Sequence, residues 1–159
     1  LAKVKVTTRF KILELIDRFV DGTLVNQVGG AVVDEAKQLI RSGQSPVRGY
    51  GRFAAYKDRD KYPGGIKPAR PVNLELSGDM LDAYGYRRGA GDSIEVGMVK
   101  GSPEVKEIAE FHNEGTEHMA QRRIVPGEGE EWTVSIMRRI RDFFGKRFET
   151  LIRQANKKR

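Results

Sequence analysis

The sequence predicts an α+β fold: a small antiparallel sheet flanked by helices, a long C-terminal helix and an extended glycine- and proline-rich arm. Three observations predict it. Apolar residues recur at three- and four-residue spacing in four separate stretches, as they do in helices that bury one face. In Ser93–Val99 the apolar Ile94, Val96 and Met98 alternate with Glu95 and Gly97, the pattern of a half-buried strand. Between residues 43 and 72 neither period survives. With 159 residues the chain fits a single domain spanning 1–159, large enough to bury about two-thirds of its unfolded surface.

The elements follow in order. Phe10, Leu13, Ile16 and Val20 mark one face of a first helix over Thr7–Val20, stopped by Asp21-Gly22. A second runs from about Leu24 to Ile40 with Val28, Val32, Ala36, Leu39 and Ile40 on its apolar side. Gly29 and Gly30 each weaken it by about 1 kcal/mol relative to alanine, and Ser42-Gly43 ends it. Residues 43–72 carry five glycines, four of the six prolines and the aromatics Tyr50, Phe53, Tyr56 and Tyr62. A stretch of this length without secondary structure is unusual inside a small domain. It reads as an arm whose aromatics are contact points in an assembly.

Ser77 is placed to cap a short helix, with Asp79 near its positive end and a stop near Tyr84-Gly85. Tyr86-Arg87-Arg88, a turn at 89–92 and Ser93–Val99 predict a hairpin. Pro103 suits the first turn of a helix over Glu104–Asn113, ended by Gly115. Arg123-Ile124-Val125 reads as a short strand. The last element is a helix over 128–156 with a stripe of Trp132, Ile136, Ile140, Phe143, Phe144, Phe148, Leu151 and Ile152; Gly145 marks a bend in it.

Composition narrows the chemistry. The chain has no cysteine, which excludes disulfides, thiolate metal sites and a cysteine nucleophile. No apolar run approaches the ~20 residues of a membrane span, and Leu1–Lys5 lacks the long apolar stretch of a signal peptide. A leucine at position 1 leads us to expect residues upstream of it. The net charge of +7 is local: residues 138–159 hold nine Lys or Arg against Asp142 and Glu149, and the rest is balanced. The excess therefore belongs to one helix and its tail, solvated or facing a partner.

No catalytic, cofactor or metal residues are assigned. His112 and His118 are six apart with a helix-breaking glycine between them, unlike the i, i+4 pair of a zinc-protease helix. Ser77, Ser93 and Ser102 lack a Gly-x-Ser-x-Gly elbow. Asp58 with Asp60, and Glu128 with Glu130 and Glu131, fall in polar turns or at a helix start, where solvation and the helix dipole account for them. Gly89-Ala90-Gly91 and Gly127-Glu128-Gly129 are turns without the rest of a phosphate loop. Arg87-Arg88 and Arg122-Arg123 suit anion contacts or an interface rim.

The order of the middle segments carries a family resemblance. Ser45-Pro46-Val47, Gly51-Arg52-Phe53, Tyr56-Lys57 and Arg70–Leu81, then Ile108–Gly115 and Arg122–Pro126, resemble the neck and tail-completion proteins of tailed bacteriophages. In that family a leucine, Ser/Thr-Gly, leucine helix start precedes a hairpin; a His-Asn/Gln-x-Gly helix end, an arginine-proline loop and a C-terminal helix follow. The match covers 45–145. It departs from the family at Met119–Ile124, where Pro-Ala-Arg-Pro-Phe is common, and this leaves the station open between terminator, completion ring and connector.

The resemblance implies a virion structural protein, assembled in the host cytoplasm as a ring, often a hexamer, against neighbouring neck and tail proteins. DNA would pass through the channel without sequence-specific contact. Ser77, Gly78, His112, Asn113 and Gly115 would be fold determinants, with Gly115 a left-handed cap and His112 or Asn113 bonded to the next loop. Tyr50, Phe53, Tyr56, Tyr62, Arg122 and Arg123 are the candidate assembly contacts. The alternative is a nucleic-acid-binding protein that uses the basic C-terminal helix for salt-sensitive phosphate contacts.

Overall fold

A computed structural model describes residues 22–57, 71–72, 74, 78–89 and 93–157. The expected first helix, Tyr62, Ser77 and the tip of the hairpin turn lie outside the described residues. The elements are α1 (Gly22–Arg41), α2 (Asp79–Ala83), β1 (Tyr84–Arg88), β2 (Ile94–Met98), α3 (Pro103–Glu114) and α4 (Val134–Lys157). The fold is α+β, with one two-stranded antiparallel sheet and a long C-terminal helix. No described helix is long and apolar enough to cross a membrane.

Helix α1 organises the rest. Leu24, Val28, Val32, Ala36 and Ile40 repeat every fourth residue and are buried. The sheet packs against α1, and so does α4. The sheet comes so close that a Cβ at Gly29 would sit 2.4 Å from the Tyr86 ring, whereas one at Gly30 would meet nothing within 4 Å. Gly29 is therefore a packing position and Gly30 is not. Arg41 suits the negative helix end, and Gly43, at φ +78, reverses the chain while its N–H donates to the Ile40 carbonyl.

The hairpin pairs Tyr84 with Met98 and Arg88 with Ile94. It begins earlier than the sequence reading had it: α2 ends at Ala83, and Tyr84-Gly85 is already strand. Burial decides this, since Tyr84 is almost fully enclosed and donates its hydroxyl to the Ile124 carbonyl at 3.0 Å. Ser102 caps α3 by accepting from the Val105 N–H, and Pro103 takes its first position.

Three further expectations are corrected. The described part of the expected arm, 43–57, does not extend outward. It doubles back through Ser45 N–H to Gly51 O and Phe53 N–H to Gly43 O, both 2.8 Å, and buries Val47 and Tyr56. Helix α4 starts at Val134 and not at Glu128, because 130–133 runs alongside this loop. Val47 bridges Trp132, the Arg48 N–H donates to Glu131 O, and the Thr133 N–H donates to Pro46 O. Arg123-Ile124-Val125 is not a strand: its amides bond to a side chain and not to a neighbouring strand.

Candidate functional site

The polar residues of the sequence converge at one place, where the C-terminus of α3, the loop 43–57 and the segment 119–133 meet. The geometry starts with the end of α3. Its last N–H···O bond runs from Gly115 to Phe111. Gly115 then turns at φ 76, ψ 169, a conformation essentially confined to glycine but extended and not the left-handed helical cap expected. The turn brings 121–125 back along the helix, and the Arg122 N–H donates to the His112 carbonyl at 2.6 Å.

Asn113 makes this return specific. Its Oδ1 accepts from the Ile124 N–H at 2.9 Å and from the Val125 N–H at 3.0 Å, while its Nδ2 donates to Glu114. One buried carboxamide thus satisfies two consecutive amides that no strand pairs. Asn113 makes the bonds to the next loop that were expected of it or of His112, Gly115 turns the chain without being the left-handed cap expected, and His112 contributes through its carbonyl.

Arg122 is the largest fully buried side chain, 2% exposed. Its Nε donates to Ala54 O and its Nη2 to Ala55 O, both at 3.1 Å, and its Cζ lies 4.9 Å from the Tyr56 ring centroid. The planar guanidinium spans two adjacent carbonyls and stacks on an aromatic face, a combination lysine cannot reproduce. Tyr56 in turn accepts from the Leu74 N–H, where Leu74 is held at φ 55.

Arg123 points to the opposite side of the turn. Its Nε donates to Glu130 at 2.7 Å and its Nη1 to Asn113 O at 3.3 Å, with an ion pair to Glu114. Its carbonyl accepts from the Ser45 hydroxyl at 2.6 Å, and Ser45 Oγ accepts from the Val47 N–H. Glu130 also accepts from the Gly127 N–H and from the Tyr50 hydroxyl. The Gly127 amide first, then the Tyr50 hydroxyl and Arg123, hold its carboxyl down to about 2. The same contact pushes the Tyr50 phenol up.

These positions revise the candidate contacts. Tyr56, Arg122 and Arg123 are buried within the fold of the chain, and Phe53 packs on the core. The two arginines are buried because each finds backbone carbonyls or carboxylates in the fold to offset desolvation. Tyr50 remains on the surface. Glu130 is a network residue and not a dipole partner at a helix start, a role its sequence neighbours concealed. Its one sequence signal is that it lies three residues after a turn glycine.

The chemistry of this arrangement is binding of the chain to itself. His112 is buried at the α3 terminus, and His118 is in an exposed loop. Among the described residues no three His, Asp or Glu side chains are grouped to hold a metal. Ser102 is engaged as a cap and Ser45 in the junction. Comparison with known proteins returns no match to any family model, any curated protein or any solved structure.

Proposed function

We propose that this chain is a non-enzymatic structural subunit of a tailed-phage neck, assembling as a ring that joins head to tail. The observation that carries the reading is the role of Asn113. The helix end and arginine-proline loop on which the resemblance rests form one mechanical unit, in which a carboxamide bridges two loop amides, Arg122 pins remote backbone and Arg123 pairs with Glu130. Short motifs that act as fold determinants suit a scaffold, and among the described residues no assembled set of nucleophile, base and oxyanion donors accompanies them.

The basic face of α4, with Arg138, Arg141, Lys146 and Arg153 exposed, favours one second reading, phosphate contact with nucleic acid. Light scattering and electron microscopy of the purified chain, with duplex-DNA titration across salt, separate the two. A discrete annular particle that persists without DNA is the expected result. A monomer that binds DNA with a steep salt dependence would replace the ring reading by the second.

A further inference from the structure

Two exposed helix faces differ in a way that suggests how one copy meets the next. On α4, Val134, Arg138, Arg141, Gly145, Phe148 and Ile152 alternate spacings of four and three, which puts them on one side of the helix; all six are exposed. The same face of α3 carries Glu104, Glu107, Ile108 and Phe111. The five apolar residues of the two faces are 42–57% exposed. One face is apolar with arginines and the other apolar with glutamates. The two helices pack on different elements, α3 against α2 and α4 against α1.

We infer that the α4 face of one copy docks on the α3 face of the next copy of this same chain. The assignment rests on the ring reading and specifies its contact. Charge complementarity selects the occupant: each face lacks a match to itself, because α4 against α4 sets arginine on arginine and α3 against α3 sets glutamate on glutamate. Unlike faces on one subunit give a heterologous, head-to-tail contact, the kind that closes into a ring. Gly145 adds a shape feature. A Cβ there would meet nothing within 4 Å, so no other side chain crowds the helix surface at that position.

The test is a charge swap read by sedimentation velocity. E104R/E107R reverses α3 and R138E/R141E reverses α4. Each variant alone should need at least ~10-fold more protein to assemble than the unmodified chain, since like charges then face each other. An equimolar mixture of the two should assemble again, because every contact in an alternating array is again between unlike charges. A misfolded variant would give no such rescue. Reversals that leave ring-sized particles intact would overturn this interface and keep the ring reading. Rescued assembly into open chains would keep the interface and remove the ring. A chain that stays monomeric up to millimolar concentration, or one whose α4 arginines bind DNA and do not self-associate, would overturn the inference.

Discussion

The junction around Arg122 and the α1–α4 helix pair solve the same problem, holding distant segments together, with opposite materials. The helix pair uses periodic apolar faces, with Ile136 and Ile140 against the buried side of α1 and one surface ion pair, Arg139 to Glu35, at 2.9 Å. The junction uses hydrogen bonds from three side chains: Arg122 and Asn113 reach loop backbone, and Arg123 reaches Glu130, Glu114 and the Asn113 carbonyl at the end of α3. Apolar packing is forgiving of volume-conserving exchange, whereas a buried polar junction loses the full desolvation penalty of each orphaned group. Equal numbers of contacts therefore do not mean equal tolerance to mutation.

The sharpest way to break that comparison is Arg122→Met. It keeps the apolar stem but removes the guanidinium that donates to the Ala54 and Ala55 carbonyls; both residues are exposed, so water replaces part of that bonding, and unfolding stability should fall by about 2–3 kcal/mol in urea titration. Arg122→Lys should recover only part of the loss, because a point charge cannot fork across both carbonyls. A loss below about 1 kcal/mol for either would show that the junction is dispensable. Asn113→Ala comes next. Two buried amides lose their acceptor, at a cost of about 2 kcal/mol, while Asn113→Asp keeps an acceptor and should cost less.

On the apolar side, two adjacent glycines of α1 should respond with opposite signs. Gly30→Ala should stabilise by about 0.5–1 kcal/mol through helix propensity. Gly29→Ala should destabilise by about 1–2 kcal/mol, since the Tyr86 ring must move away. Thermal melts of the two variants check the sign. The smallest effect concerns pH. Glu130 is depressed in the folded chain from an ordinary 4.5 to about 2, so its contribution is complete above pH 4.5 and disappears as pH falls toward 2. The stability difference between the unmodified chain and Glu130→Gln should shrink over that window. A difference that stays constant with pH would remove Glu130 from the network.

What was legible in the sequence follows the same division. The buried face of α1, the hairpin and the Pro103 and Gly115 boundaries were readable because periodicity and capping are local. The long helix was found but begun six residues early, since Glu128–Thr133 has helix-compatible residues and its real partner, 46–48, is more than 80 positions away. The aromatic loop was misjudged for the same reason. Tyr56 is inward-facing only because Arg122 reaches it, and no local pattern contains that fact. Gly29 was read as a weakness because the ring that fills its space belongs to another element. In the candidate site, Asn113 and Gly115 were legible through their place at a helix end, and Glu130 and Ser45 were not.

The long spans of the junction also set an order of events during synthesis. Ser45 closes on a carbonyl 78 residues later, and Ala54 and Ala55 wait for a guanidinium 68 and 67 residues downstream. Contacts this far apart in sequence form late and slow the folding of a chain. As the chain leaves the ribosome, α1 and the hairpin can form first, but the loop after α1 has only its own few local hydrogen bonds to hold it. Val47 and Tyr56 stay uncovered until residues 122–133 emerge. A nascent chain arrested before that point should therefore be protease-sensitive in 43–57, and the last forty residues convert that loop from a liability into a wall of the folded chain.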